Sequence, residues 1–464
     1  MASSANTLAG LLAEIERHDL SYYATVNGGL LNQIPVTARR ILDIGCGVGA
    51  LGYMAKQRHP DVYYCGVELH PEAARVAGTH LDEAHCANIE SADLPLAKGF
   101  FDCIVFGDVL EHLYHPLETL RRLKENLTAD GCVVCCIPNI QHISFIESLL
   151  CGDFQYQDAG LLDRTHIRFF TYASFIKLLL DAGLVPKIVS QIALPDANAG
   201  LLAALQGAAG YLQQDGQRFA RALSTFQYIF HGTHYAPRAG VLPPPFPISF
   251  VVPTNNERIL KEYLLSSPVL QGQHPHQLIL LKEQRSMAEA LVQGVGQAVH
   301  DFVVVVHQDV YLPAQWDALF CRQVLQAEAT RDDIGLFGVY GASNHAGQIV
   351  PRGSLVDRQD ARLHGEACPV PVGSVDDCLI GFRKARRPEP DPACGFYLYG
   401  TDLLCAGLAQ GRVAVVVEAL CYHNPGLGAG GPPPAWQVSA RHLATKWPHY
   451  LPAGVLTVLD TCLV

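Results

Sequence analysis

The stretch ILDIGCGVGALG, residues 41–52, carries an acid, Asp43, followed by glycines at 45, 47, 49 and 52. A short apolar run that delivers a carboxylate into glycines is how a strand feeds a nucleotide-binding turn, where missing side chains let the backbone approach a ligand. Counted from Gly47 the spacing is G-x-G-x-x-G, which suits a dinucleotide. Counted from Asp43 it is D-x-G-x-G-x-G, a pattern of S-adenosylmethionine (SAM) sites, and the loop alone leaves both readings open. Glu68 ends a second apolar run 21 residues after Gly47. A carboxylate there can accept hydrogen bonds from both hydroxyls of an adenosine ribose, which NAD and SAM share.

Other groups have the types needed for proton transfer. Asp108 follows FDCIVFG, and His112, His115, Asp163 and His166 follow in polar segments. An acceptor hydroxyl must lose its proton before it attacks an electrophile, so His166, His112, Asp108 and Asp163 are candidate bases. His166 is favoured because a neutral imidazole in a polar loop titrates near neutrality, although a histidine holding that loop fits nearly as well. His112 and His115 read better as the start of a helix than as a metal pair. In the second half, four valines run into His307, Gln308 and Asp309, as a buried parallel strand delivers a carboxylate to its ligand-binding end; a bare turn aspartate fits as well.

These residues need a scaffold. At 464 residues the chain predicts two domains of roughly 200 residues each. Apolar runs at 41, 62, 101 and 132 alternate with helix-length segments, which predicts an α/β fold with a parallel sheet covered on both faces. PLETLRRLKENL, residues 116–127, reads as one helix with leucines on one face, closed by ADG. An Ala-, Leu- and Gln-rich stretch at 196–224 lacks strand signals and reads as a helical C-terminal extension of a first domain, residues 1–240. The prolines of VLPPPFP, 241–247, stiffen a linker, and residues 248–464 form a second domain in which strands at 248, 277, 301, 335 and 412 again alternate with helices. Ser286 and Glu289 have capping-box spacing ahead of one of these helices.

The formal charge of -11 gives no electrostatic reason for a nucleic-acid partner. No run reaches the roughly 18 apolar residues of a membrane helix, and MASSANTLAG lacks the pattern of a signal peptide, so the expectation is a cytoplasmic protein without an integral membrane segment. The 15 cysteines lie mostly in apolar runs and read as buried reduced thiols. Cys132 and Cys135 form a C-x-x-C, but on a strand they point to opposite faces, which disfavours zinc.

In five ordered blocks the first half resembles the class I SAM-dependent methyltransferases: ILDIGCGVGALG, CGVELHPEAARVA at 65, ANIESADLPLAKGFFDCIVFGDVLEHLYHP at 87, LTADGCVVCCIPN at 127 and DRTHIRFFTYASFIKLLLDAGL at 163. The last two resemble small-molecule O-methyltransferases. The resemblance implies a Rossmann-like fold in which Asp43, Gly45, Cys46, Gly47 and Gly49 shape the methionine pocket, Glu68 takes the ribose, Asn88 and Ile89 flank adenine, and Asp108 lies beside the cofactor. Asn88 replaces an aspartate common in that family.

The second half, residues 248 to about 425, resembles GT-A glycosyltransferases of the family-2-like kind through FVVPTNNERIL at 250, HQDVYLPAQWDALF at 307, GLFGVYG at 335, VDDCLIGFRK at 375, GFYLYGTDLLCAGLAQG at 395 and ALCYHN at 419. The resemblance implies that Asp309 holds Mg²⁺ or Mn²⁺ on the diphosphate of a sugar nucleotide, with His307 where the family's first aspartate stands. It further implies that Asp402 is the base for an acceptor hydroxyl, although an N-cap role fits the same residue. By the same resemblance Asp376 and Asp377 edge the acceptor pocket, although capping a strand fits them too, His423 reaches metal or phosphate or is a buried turn histidine, and Asn255 and Glu257 lie near the nucleotide base. The expectation is a bifunctional transferase that methylates and glycosylates a carbohydrate or glycoconjugate. The alternative is a methyltransferase whose second half is a non-catalytic binding module.

Overall fold

The computed structural model describes residues 8–193, 198–212, 216–235, 243–345, 348–357, 361–364, 368–424, 434–451, 455–456 and 461–462. The chain divides into two compact units, residues 1–210 with 215–238, and residues 211–214 with 239–464. Residues 241 and 242 of the expected linker lie outside the described residues. Among the described residues no helix is long and apolar enough to cross a membrane.

In the first unit the strands are β1 (Arg40–Ile44), β2 (Tyr63–Glu68), β3 (Glu83–Cys86), β4 (Phe101–Gly107), β5 (Leu127–Pro138), β6 (Leu184–Ala193) and β7 (Thr225–His234), in the order β3-β2-β1-β4-β5-β7-β6. The helices are α1 (Leu8–Arg17), α2 (Gly28–Gln33), α3 (Ala50–Arg58), α4 (Pro71–Ala77), α5 (Pro116–Leu123), α6 (Ile143–Leu150), α7 (Tyr172–Asp181), α8 (Ala199–Ala208) and α9 (Gly216–Ser224). Strands β1 to β5 pair in parallel, and the order reverses between β1 and β4, the crevice where open α/β sheets bind ligands.

Three sequence expectations are corrected here. The sheet is not all parallel, because β7 runs antiparallel to both β5 and β6. The helical stretch is no extension: α8 and α9 lie between β6 and β7, and the chain then returns into the sheet. The helix at 116 ends at Leu123, one short helical turn follows, and Leu127 opens β5, its side chain fully buried. A buried leucine satisfies a helical face and a strand equally, so periodicity carried the helix too far. On β5, Cys132, Val134 and Cys136 join the core around Cys103 and Val105, whereas Cys135 does not, as strand alternation requires.

The second unit holds β8 (Ile248–Thr254), β9 (Gln277–Lys282), β10 (Phe302–Val306), β11 (Val310–Tyr311), β12 (Ile334–Gly338), β13 (Tyr340–His345), β14 (Gln348–Asp357), β15 (Ala361–His364), β16 (Val370–Val372), β17 (Ser374–Val375), β18 (Leu379–Arg383), β19 (Val413–Val416) and β20 (Cys421–His423). Its helices are α10 (Glu257–Glu262), α11 (Met287–Gln297), α12 (Trp316–Thr330), α13 (Tyr399–Ala409) and α14 (Pro434–Lys446). One sheet has the order β16-β19-β12-β18-β10-β8-β9, and a second runs β11-β20-β14-β13-β17 with β15 beside β14. Every residue of β10 is buried, which explains its unbroken valines: both faces are covered. GLFGVYG is not one strand. Val339 separates β12 in the first sheet from β13 in the second. The capping box on α11 is half formed: Ser286 accepts the Glu289 N–H at 3.1 Å, but the Glu289 carboxylate turns to the Arg285 N–H and guanidinium.

Candidate functional site

The glycine turn lies between β1 and α3. Gly45, Gly47 and Gly49 all have positive φ, and at Gly47 a β-carbon would lie 2.2 Å from the Tyr23 carbonyl oxygen, so no larger residue fits without moving the backbone. Tyr23 is held there by the Val48 N–H, 3.0 Å from its carbonyl, and its ring stacks on His70 at 4.7 Å. Sequence reasoning did not single out Tyr23; its place over the turn comes from the path of the segment after α1.

Glu68 ends β2 beside this turn. Only 7% exposed, it accepts the Gly47 N–H on Oε2 at 2.9 Å and the His70 N–H on Oε1 at 2.8 Å. One acceptor position on each oxygen remains, the geometry a vicinal diol needs. Asp43, 3% exposed, accepts the Tyr64 hydroxyl at 2.9 Å; burial pushes its pKa up to about 7, with the Glu68 charge adding to the shift. The two acids favour a ligand bearing positive charge and disfavour a pyrophosphate, which would add like charge. Cys46 is buried, with its thiol directed at the Gly47 carbonyl. Asn88 is exposed and its Oδ1 accepts the Glu90 N–H, while Ile89 is buried and its carbonyl accepts from Arg122.

A polar cluster lies beyond β4. Asp108 sits in the left-handed region at φ 54 and accepts Gln227 Nε2 at 2.7 Å; burial lifts its pKa to about 6. Strain combined with a desolvated acid is a mark of functional positions. His166 is 8% exposed, so it is not offered openly by a polar loop as expected; the loop buries it. Its Nδ1 lies 3.1 Å from the Leu161 carbonyl, which fixes Nδ1 as the donor and leaves Nε2 as an acceptor. That Nε2 lies 3.9 Å from Oε1 of Glu111, which is fully buried and, among the described residues, has no hydrogen-bond partner on either carboxylate oxygen. Burial drives the Glu111 pKa well above the usual carboxylate range, with the Asp108 charge reinforcing it. His112 packs edge-on against His166 at 4.8 Å, and burial lowers its pKa. One ligand atom each of Glu111, His112 and His166 lie within 4.8 Å of one another, a set able to hold a cation. Tyr22 reaches Asp163 at 3.4 Å, and Asp163 in turn accepts the Thr165 N–H and hydroxyl. In sequence Glu111 resembles any acid beside a helix start, and only its burial distinguishes it.

In the second unit a cleft of about 290 Å³ opens at the C-terminal ends of β8, β9 and β10, lined in part by Thr254, Asn255, Met287, Gln308, Asp309 and Phe396. Gln308, which sequence reasoning passed over, organises it. Its Oε1 accepts the Thr254 hydroxyl at 2.7 Å and the Asn255 and Asn256 N–H groups, while its Nε2 donates to Asn255 Oδ1. Glu257 instead pairs with Lys282 at the surface. His307 also lines the cleft, and Asp309 Oδ1 stands 3.5 Å from His423 Nε2. Asp376 Oδ1 accepts the Cys378 N–H at 2.9 Å.

One expected role fails in this unit. Asp402 is neither an N-cap nor open to an acceptor: it is 1% exposed within α13, whose N-cap is Leu398. Its Oδ1 accepts Lys446 Nζ at 2.7 Å and Trp447 Nε1 at 2.8 Å, and its Oδ2 accepts the Asp391 N–H at 2.9 Å. With three of its four acceptor positions taken and the side chain buried, the carboxylate is closed to a substrate hydroxyl. Asp377 Oδ1 accepts the Gly400 N–H at 2.9 Å at the start of α13, and burial raises its pKa to about 7.

Comparison with known proteins bears on the first unit. A methyltransferase domain family matches residues 17–189. The ubiquinone biosynthesis O-methyltransferase of Cereibacter sphaeroides (strain ATCC 17025) is 29% identical over 159 residues, 33% of this chain and 63% of that protein. The protein of the same name from Psychrobacter arcticus is 25% identical over 179 residues, 36% of this chain and 68% of that protein. The chain thus spans under two thirds of the first relative's length. A SAM-dependent methyltransferase structure from Archaeoglobus fulgidus aligns over 48% of this chain and 92% of its own at 16% identity, with a TM-score of 0.31. Residues 17–189 are thus similar to methyltransferase domains.

Proposed function

We propose that the first unit transfers a methyl group from SAM to a hydroxyl of a small-molecule acceptor. The observation that carries this reading is Glu68, buried beside the glycine turn with one acceptor position free on each oxygen, next to a second acid. A diol and a positive charge in one ligand suit those two groups. Glu68 would hold the ribose, Asp43 with the turn at 45–49 would hold the methionine end, and Ile89 with Asn88 would bound the adenine. When bound, SAM supplies an electrophilic methyl group whose sulfonium charge vanishes on transfer. The protein's part is to align the acceptor and take its proton. His166, with Nε2 as acceptor, and Asp108 are the groups able to do so. The O-methyltransferase relatives support oxygen as the methylated atom. Calorimetric titration of the full chain with SAM and with NAD tests the reading: binding of NAD but not SAM would overturn it.

For the second unit the proposed activity is glycosyl transfer from a sugar nucleotide. Support comes from the cleft at the strand ends, floored by Asn255 and Gln308 and bordered by Asp309. A divalent cation there would neutralise a diphosphate leaving group. One observation favours the alternative, a non-catalytic binding module: Asp402, the expected base, is buried and its Oδ1 is held by Lys446 and Trp447. Hydrolysis of UDP-, GDP- and TDP-sugars by the full chain with Mn²⁺ separates the two, since a module gives none.

A further inference from the structure

Strands β2 and β3 pair in parallel, with Cys65 opposite Glu83 and Val67 opposite His85. Paired positions share a face and alternate positions repeat it, so Cys65, Glu83 and His85 stand on one side of the sheet while Tyr64 and Ala84 join the core on the other. One ligand atom of each of the three lies within 4.8 Å of the others. We infer that Cys65, Glu83 and His85 form a Zn²⁺ site with a thiolate, a carboxylate and an imidazole, its fourth position open to water. The site stands on these side chains alone and does not rest on the methyl-transfer reading.

The spacing of the ligand atoms carries the inference. His85 Nε2 lies 3.3 Å from Glu83 Oε2, yet among the described residues this buried nitrogen has no hydrogen-bond partner. A tetrahedral cation with bonds of about 2.0 Å holds its ligand atoms about 3.3 Å apart, so a spacing that serves no hydrogen bond is the one a metal needs. Exposure falls in steps across the set: the Glu83 side chain is 54% exposed, that of His85 24%, and Cys65 is fully buried. A cation thus meets the carboxylate first and the thiol last. Burial pushes the Cys65 pKa up to about 12, and Glu83, Asp43 and Asp82 add to the shift. The same surplus of negative charge favours a divalent cation, which takes the place of the thiol proton when it binds.

The donor types decide the cation. A thiolate and an imidazole suit Zn²⁺, whereas Mg²⁺ demands oxygen ligands in near-ideal octahedral geometry. The place in the fold gives the metal something to hold. Strand β3 is the outermost of its sheet, and directly after it the Ala87 N–H donates to the Glu68 carbonyl at 2.9 Å. A cation shared by Cys65, Glu83 and His85 clips this strand to β2 just ahead of that contact.

The test uses the full chain, stripped of metal and kept reduced, with Co²⁺ as a spectroscopic substitute for Zn²⁺. The expected result is a thiolate-to-cobalt charge-transfer band that about a hundredfold excess of Mg²⁺ leaves in place and Zn²⁺ abolishes. A second ligand group, Asp376, Cys378 and His423, also contains a cysteine, so the band must persist in Cys378→Ser and vanish in Cys65→Ser. His85→Ala and Glu83→Gln alter positions that are not fully buried, and each lowers Zn²⁺ affinity at least about tenfold, the smallest loss typical of partners one shell further out. X-ray absorption on the Zn²⁺-loaded wild type shows one sulfur at about 2.3 Å, independent of how any variant folds. A zinc shell without sulfur, a band lost in Cys378→Ser but kept in Cys65→Ser, or wild-type Zn²⁺ affinity in His85→Ala would each overturn the inference.

Discussion

Replacing Glu68 by glutamine keeps the size of the side chain and removes its charge and half its acceptor capacity. In the structure both oxygens are used, at 2.9 Å by the Gly47 N–H and at 2.8 Å by the His70 N–H. A carboxamide can keep only one of these bonds and must turn its own NH₂ against the other donor. Hydrogen bonds to a charged group contribute about 1.5–3 kcal/mol, so one lost inside the fold destabilises the glycine turn by about that amount. The same side chain would lose one ribose hydroxyl, a further ~1.5–3 kcal/mol, or roughly a 10- to 150-fold loss in SAM affinity. Titration calorimetry of the full-length Glu68→Gln variant with SAM measures the second effect. Thermal unfolding of the ligand-free variant measures the first, so weakened binding is not mistaken for lost structure. Wild-type SAM affinity in a folded Glu68→Gln protein would refute this placement of the cofactor.

Three further outcomes are expected. His166→Ala lowers methyl-transfer turnover by about 100-fold or more and leaves SAM affinity unchanged, since proton removal is confined to the chemical step; equal turnover would dismiss it. Asp43 carries a folded pKa of about 7 against an ordinary 3.8, so the folded state binds the extra proton between those values and stability falls as pH rises through about 4 to 7. Asp43→Asn flattens that fall in a urea-denaturation series across the window, whereas an unchanged slope would contradict the buried acid. Asp402→Asn costs the second unit about 3 kcal/mol, at the low end for a broken buried ion pair because Asp391 still holds Lys446 at 2.9 Å, and denaturant melts report it.

Much of the first site was legible because its residues are local to one turn and one strand end. Asp43, the glycines and Glu68 follow directly from strand, turn and strand, and parallel pairing of β1 with β2 brings them together. His166 was legible as a residue but not as an environment: its burial depends on Glu111 and His112, some fifty positions earlier in the chain. Asp402 shows the opposite error. Its position in YGTD fits an exposed helix start, but the carboxylate is covered by Lys446 and Trp447, more than forty residues later.

The sequence by itself determined two α/β halves, the strands that carry each site and the acids at their ends, because alternation and glycine spacing act over a few residues. Only the tertiary structure decided that β7 turns back antiparallel between β5 and β6, that Glu111 is a fully buried acid beside His166, and that His423 stands beside Asp309. Those outcomes depend on which distant segments pack together. Desolvation, which sets a carboxylate's charge and its availability, is a property of that packing and is written in no local pattern.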